Sequence, residues 1–340
     1  PPAPDPEPII RPEIVVNGRR LRDITRDLVD ILTRANTPPV VYVRGGQLTR
    51  VRRDEKGRPL VEPMTETHLR HRFAALADTI RVNKDHTRTH VPPPHELMRD
   101  VLALPAWDVP PLEAVTEIPT LRPDGTVHHA AGYDPTTCLL HEPAVGLTVP
   151  TIPDQPTRDD VTAAVALLDE LLCDFPFDTQ ADKANAIACL LTPVVRPAID
   201  GQVPLGLVDA PEPGTGKGLF SKVVAIVATG RTAAVKPMPD REEEIRKMIT
   251  ATLMEGTTII VLDNVDDAIK SPSLAAALTS DIWSDRILGR SEVSALPNRA
   301  TWLATGNNLQ VAGDLARRCY RIRLDAKQAK PYTRTGFRHE

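Results

Sequence analysis

The stretch APEPGTGKG at residues 210–218 assembles the groups needed to hold a chain of phosphates. Gly214 and Gly216 free the backbone to turn successive N–H groups inward around anionic oxygens. A helix starting near the lysine aims the positive end of its dipole at the same anion. Lys217 brings a positive charge to the outer phosphates. Pro213, Gly214, Thr215, Gly216, Lys217, Gly218 and Leu219 are therefore the candidate nucleotide-binding residues. Two positions depart from the usual loop. Pro211 stands where a glycine normally opens it, and Gly218 stands where a serine or threonine hydroxyl normally holds magnesium. Ser221 lies a turn further along and receives no role. The competing reading is a Gly- and Pro-rich loop with an incidental lysine.

A second chemical group lies downstream. The run TTIIVLD at 257–263 is β-branched and ends in a carboxylate. An aspartate there orients magnesium in nucleotide hydrolysis, which makes Asp263 the candidate metal residue. Asn264 follows, where a glutamate often polarises the attacking water. An amide positions water but takes no proton, so Glu244, Asp266 and Asp267 are the alternative bases. The strand-like run TWLAT at 301–305 leads into Gly306, Asn307 and Asn308. Either amide has the chemistry to sense a terminal phosphate, and the doublet leaves both open beside a simple turn. Arg317 and Arg318 offer either surface charge or a cation for the transition state in a neighbouring copy. Residues 285–297 read as a hairpin. Arg286 and Arg290 on it are candidate nucleic-acid backbone contacts, with ion pairs to nearby acids as the equal alternative.

These groups need a scaffold. Residues 203–209, 257–262, 300–305 and 320–324 read as strands, alternating with helices over 216–228, 241–254 and 274–283. That alternation predicts an α/β fold, a parallel sheet with helices on both faces. Upstream, Thr157 with Asp160 predicts a capped helix carrying Val161, Val165, Leu168 and Leu172 on its inner face. A second helix is expected from about 178 until Pro193. Residues 151–200 thus form a helical collar before a nucleotide-binding core at 201–327, with a tail at 328–340.

Residues 13–110 predict a small α+β module. It has helices through Leu28 and over 65–77, and a hairpin of residues 40–43 and 48–52 around Gly45-Gly46. Arg44, Arg50, Arg52 and Arg53 decorate that hairpin. They suit phosphate or, with a slight preference, charge protection of an exposed edge. Residues 111–150 predict a turn-rich β connector, with turns at Asp124-Gly125 and at 132–135.

Composition narrows the class. The chain has 340 residues, a net charge of -4 and 34 prolines, the last about twice the usual share. Proline clusters at 1–12, 92–94, 105–111 and 150–156 read as a linker and as breaks between modules. Residues 1–110 hold 18 Lys+Arg against 15 Asp+Glu, a mildly basic front end compatible with nucleic acid. The four cysteines form no CxxC pair, which argues against a zinc site and a disulfide framework. No membrane span and no signal peptide are visible, and a cytoplasmic location is expected.

PEPGTGKG, IIVLDN, ATGNN and GDLARRCYRI, in that order over residues 155–326, resemble the AAA+ motor of phage- and plasmid-encoded replicative helicases. The nearest group is superfamily 3 with the poxvirus-type primase-helicases. The segment LRPDGTVHHAAGYDP is also similar to the stretch preceding such motors in mobile-element proteins. The resemblance implies ATP and Mg2+ as cofactors and a hexameric ring moving along DNA, single-stranded in its pore, often with a primase-polymerase domain. It implies that Lys217 binds phosphate, Asp263 serves magnesium, Asn307 or Asn308 senses the terminal phosphate, and Arg317 or Arg318 is the finger. A lid domain is expected to lie outside this chain. The rival expectations are a nucleotide-switched AAA+ loader or defence protein without unwinding, and a degenerate nucleotide-binding module.

Overall fold

The computed structural model describes residues 11–153, 155–266, 268–286 and 293–339. The chain divides into two compact units. One runs to Arg52 and includes Val61–Pro111, and the other joins Arg53–Leu60 to Leu112–Glu340.

In the first unit, helices Leu21–Arg34, Glu66–Leu76 and His95–Leu102 bury Leu28, Leu32, Leu69, Phe73, Met98 and Val101 in one core. Only two of these helices were legible in the sequence. Val41–Arg44 and Gln47–Arg53 form the expected antiparallel hairpin, with Gly45 and Gly46 both at positive φ in its turn. Pro59–Pro63 adds a third strand beside Gln47–Arg53, so that strand is central while Val41–Arg44 stays at the edge. Arg50 and Arg52 close on Glu62 at 2.6 and 2.8 Å. Both arginines share this one carboxylate, so they bind the third strand to the hairpin as well as carrying charge. In the second unit Arg53 pairs with Glu142 at 2.6 Å.

Within the second unit, residues 112–150 hold short strands. Thr120–Leu121 and Val127–His128 turn at Gly125 as expected. Gly132–Asp134, read from sequence as a turn, is instead a strand paired with Leu139–His141. The turn comes after it, at Cys138 with φ 55°.

Two helices follow, α1 (Arg158–Leu172) and α2 (Gln180–Val195). Each opens on a reciprocal cap, Thr157 with Asp160 and Thr179 with Asp182, which satisfies N-terminal donors that lack helical partners. Helix α1 departs from expectation on its inner face. Leu172 is buried, but Val161 is 53% and Val165 49% exposed. Helix α2 continues past Pro193, which lies in its last turn and is buried. A proline there removes the N–H that would bond the Cys189 carbonyl, a single lost bond with two further helical residues beyond it, and the helix continues to Val195.

The core then runs β1 (Leu205–Ala210), α3 (Lys217–Thr229), β2 (Val235–Pro237), α4 (Glu242–Met254), β3 (Ile259–Val265), α5 (Pro272–Ala277), β4 (Ile282–Arg286), β5 (Val293–Pro297), β6 (Thr301–Asn307) and β7 (Cys319–Arg323). Strands β2-β3-β6-β1-β7, in that spatial order, make a five-stranded parallel sheet. Successive side chains go to opposite faces. Val208, Ala210, Ile259, Val261, Leu303 and Ile322 pack with α2 and α3. Leu205, Leu207, Ile260, Leu262, Trp302 and Ala304 pack with α4 and α5. A sheet covered on both faces explains why its strands read as continuous apolar runs. The helix expected over 274–283 ends at Ala277. Trp283 lies instead in β4, where its indole N–H donates to the Thr250 hydroxyl at 2.9 Å. Strands β4 and β5 pair antiparallel, as the hairpin reading expected.

Candidate nucleotide-binding site

The strand order decides which groups can meet. Strand β6 lies between β1, which leads into the phosphate loop, and β3, which carries Asp263. Parallel pairing brings the carboxyl ends of all three side by side, where open α/β sheets bind ligands. The Lys217 ammonium donates to Asn307 Oδ1 at 2.5 Å across that end. The Thr305 hydroxyl donates to the Asp263 carboxylate and accepts from the Asn264 backbone N–H at 3.2 Å. Thr305 was not singled out in the sequence as more than a strand residue. Its place two residues before Asn307 on β6 was the available signal.

The asparagine doublet separates. Asn307 faces Lys217. Asn308 sits at φ 49°, donates its backbone N–H to Ala210 at 3.0 Å, and directs its amide to the Pro211 carbonyl at 3.3 Å. It therefore ties β6 to the start of the phosphate loop.

In the loop, Gly214 and Gly216 adopt φ 77° and 109°, in the left-handed region that side chains avoid. A Cβ on Gly214 would also crowd Tyr332 at 3.0 Å. Thr215 is buried and donates its hydroxyl to the Glu212 carbonyl at 2.6 Å. Helix α3 begins on Lys217. Ser221 is buried and bonded to the Gly218 carbonyl at 3.0 Å, so its hydroxyl is engaged inside the helix. At Gly218 a Cβ would meet nothing within 4 Å. Gly218→Thr therefore has room for its side chain and replaces a helix-weakening glycine. We expect this variant to fold normally and to need about tenfold less magnesium for half-maximal ATP hydrolysis, as a magnesium titration of the rate would show. An unchanged magnesium requirement would mean that no ion sits against this turn.

Burial holds the Lys217 ammonium below a lysine's ordinary 10.5, against the opposing pull of the Asp209 and Asp263 carboxylates. Lysine is cationic only below its own pKa. ATP affinity should therefore begin to fall at a pH below 10.5, as a binding titration between about pH 7 and 10.5 would record. A flat profile over that range would contradict it.

Asp209 is a further residue the sequence reading did not single out. It is the penultimate residue of β1, fully buried, and pairs with Arg323 of β7 at 2.6 Å. It also accepts the Leu309 backbone N–H at 2.8 Å. One carboxylate thus locks the loop after β6 and the edge strand β7 to the strand that leads into the phosphate loop.

The proposed water-activating groups are less convergent. Asn264 has φ 51° and turns its amide to Asp266 at 3.3 Å. Glu244 pairs with Lys247 at 2.9 Å. Asp267 lies outside the described residues. Arg318 donates to the Ala275 carbonyl within α5, with its side chain 19% exposed. Arg317 is 70% exposed, with a 3.3 Å surface pair to Asp314. Arg286 is exposed and has no ion pair among the described residues, whereas its neighbour Asp285 pairs with Arg246 at 3.1 Å. Arg290 lies outside the described residues.

A cavity of about 600 Å³ opens beside the loop. Its walls include Gly214, Gly216, Leu219, Phe175, Tyr332 and Phe337. Arg334 stacks over the Phe337 ring at 5.0 Å and donates to the Asp174 carbonyl at 2.9 Å, which holds the chain's last residues against this cavity. The sequence reading treated residues 328–340 only as a tail. The aromatic pair Phe175 and Phe177, just before a capped helix, was the signal available there.

No protein-family profile matches the sequence, and no curated protein does. Solved structures of JCV helicase show similarity. An X-ray structure of JCV helicase has 16% identity over 52% of this chain and 47% of that one, with a TM-score of 0.31. A JCV helicase bound to a thiazolopyridinyl-phenoxyphenyl acetamide has 14% identity, coverage of 52% and 48%, and a TM-score of 0.32. An inhibitor-bound JCV helicase has 15% identity, coverage of 48% and 44%, and a TM-score of 0.30. The chain spans less than half the length of each of these helicase chains.

Proposed function

We propose that this chain is the ATPase core of a DNA helicase or translocase from a mobile-element replication protein, hydrolysing ATP between subunits of a ring. The observation that carries it is the Lys217–Asn307 bond at 2.5 Å, made across a sheet whose order sets β6 between the phosphate loop and Asp263. Lys217 and the loop N–H groups hold the phosphates. Asn307, already bonded to Lys217, meets the terminal phosphate when it arrives. The cavity beside Leu219, Phe175 and Tyr332 receives the base.

The donor set fits magnesium, which is commonly bound through one or two carboxylates, substrate phosphates and water. Asp263 would hold it, oriented by Thr305, and the ion would neutralise charge on the phosphates. Arg317 is the exposed member of its pair and the better suited to extend into a neighbouring subunit, because Arg318 is committed to α5. Arg286, exposed on the β4–β5 hairpin, is the candidate DNA contact.

The test is ATP turnover by purified protein with and without single-stranded DNA. The motor reading expects DNA-stimulated hydrolysis that disappears in Lys217→Ala. It also expects an Arg317→Ala loss that is partly restored when inactive Lys217→Ala subunits, with Arg317 intact, are mixed in. Turnover indifferent to DNA would favour a second reading, a nucleotide-switched AAA+ protein. Two observations favour a third reading, a degenerate nucleotide-binding module: Gly218 has no hydroxyl, and the Asn264 amide is turned to Asp266 and carries no base. Failure to bind any nucleotide would leave a degenerate module.

A further inference from the structure

At the opposite, amino-terminal end of the same sheet lies a second cavity, of about 270 Å³. Thr258 and Arg299, just ahead of β3 and β6, form part of its wall, and so do Arg196 and Pro197 after α2. The nucleotide site occupies the carboxyl ends of these strands, so the two sites are separated by the sheet itself.

The unusual feature is two arginines brought together in a wall that also carries the acid Glu113. Arg196 is 4% exposed. Its Nη1 donates to the Ile199 carbonyl at 3.3 Å, while Nε and Nη2 have no hydrogen-bond partner among the described residues. Arg299 donates Nη1 to that same carbonyl oxygen, also at 3.3 Å. Two guanidinium groups therefore converge on one acceptor. Among the described residues neither makes an ion pair with a carboxylate. Burial, followed by the charge of Arg299, pushes Arg196 down to about 10, and Asp281 opposes this. Asp281 is itself bonded to the Gln202 amide at 2.9 Å. The Thr120 hydroxyl, on the wall of the same cavity, is also buried without a partner among the described residues.

Buried guanidinium groups ordinarily come with an anion, because leaving the charge and its donors unpaired away from water is costly. We propose that this cavity binds the phosphate group of a small phosphorylated molecule through Arg196 and Arg299, with Thr120 as a further donor. A planar guanidinium fork matches phosphate oxygens in pairs. The remaining wall suits an organic body: Ala114, Leu139, Pro193 and Pro197 are apolar and Thr136 adds a hydroxyl, while the Thr116 and Thr137 hydroxyls donate to the Ile118 carbonyl and to Asp134. The volume exceeds what a bare phosphate fills, yet falls just short of a drug-sized pocket. The site does not depend on the ATPase reading.

The experiment uses the full chain carrying Lys217→Ala, so that the phosphate loop does not compete, and measures calorimetric binding of inorganic phosphate and of ribose 5-phosphate. Binding of both, tighter for the ester, is expected. Arg196→Gln and Arg299→Gln should each weaken it by at least about tenfold. Should Arg196→Gln not fold, Arg299→Gln and Thr120→Val carry the comparison. No binding at about 10 mM of either ligand, or binding indifferent to these substitutions, overturns the proposal. Equal binding of citrate would reassign the site to carboxylates and overturn its phosphate selectivity.

Discussion

Lys217→Ala is expected to lower ATP hydrolysis by about 10²–10³-fold, the loss typical when one preorganised donor to a reacting anion is removed. That corresponds to roughly 3–4 kcal/mol at 1.36 kcal/mol per tenfold. The effect is local for two reasons. Lys217 is the first residue of α3, where alanine is a better helix former, so the fold should survive. The contact it loses is the 2.5 Å bond to Asn307, the group proposed to meet the terminal phosphate. The variant should therefore lose nucleotide affinity as well as rate, while its unfolding midpoint without nucleotide stays close to that of the parent. Calorimetric ATP binding and thermal unfolding on the same preparation check both. Retained ATP affinity together with retained turnover would remove this loop from the mechanism.

Gly306→Ala should have the largest effect on stability. Gly306 is not at positive φ, so its backbone would tolerate a side chain. The space is what forbids one: a Cβ would collide with the Val265 carbonyl oxygen and with Leu309 Cδ2. One of these is backbone of the adjacent strand and does not rotate away. Overpacking of this kind costs about 1–3 kcal/mol. In a unit of this size that is a drop in Tm of roughly 3–10 °C. The collision also falls between Thr305 and Asn307, and it pushes against the irregular pairing of β3 and β6 between Leu262 and Val265. The Thr305–Asp263 and Asn307–Lys217 bonds should shift apart, and turnover should fall along with stability. A variant with an unchanged Tm would show that this crossing is looser than its geometry.

Comparison of these residues shows how far the sequence reaches. The phosphate loop was legible because its chemistry is contiguous: two glycines, a lysine and the start of a helix within a few residues. The capped start of α1 was legible for the same reason, since Thr157 bonds a residue only three positions away, whereas the Thr179–Asp182 cap of α2, equally local, was missed. The apolar run before Asp263 announced a buried strand. What could not be read were contacts between residues distant in the chain. Nothing local distinguishes Asn307 from Asn308. The choice follows from inserting β6 between β1 and β3, which lets one amide reach a lysine 90 positions away. Likewise the wall that Tyr332 and Phe337 add to the cavity comes from chain far beyond the loop. Asp209 locks two strands through Leu309 and Arg323, and Arg318 is tied to α5 while Arg317 stays exposed. Helical periodicity, caps and turns depend on neighbours within about four residues, so residue types record them. Strand order depends on which apolar faces bury each other, and similar alternating runs satisfy many orders until the whole sheet is packed.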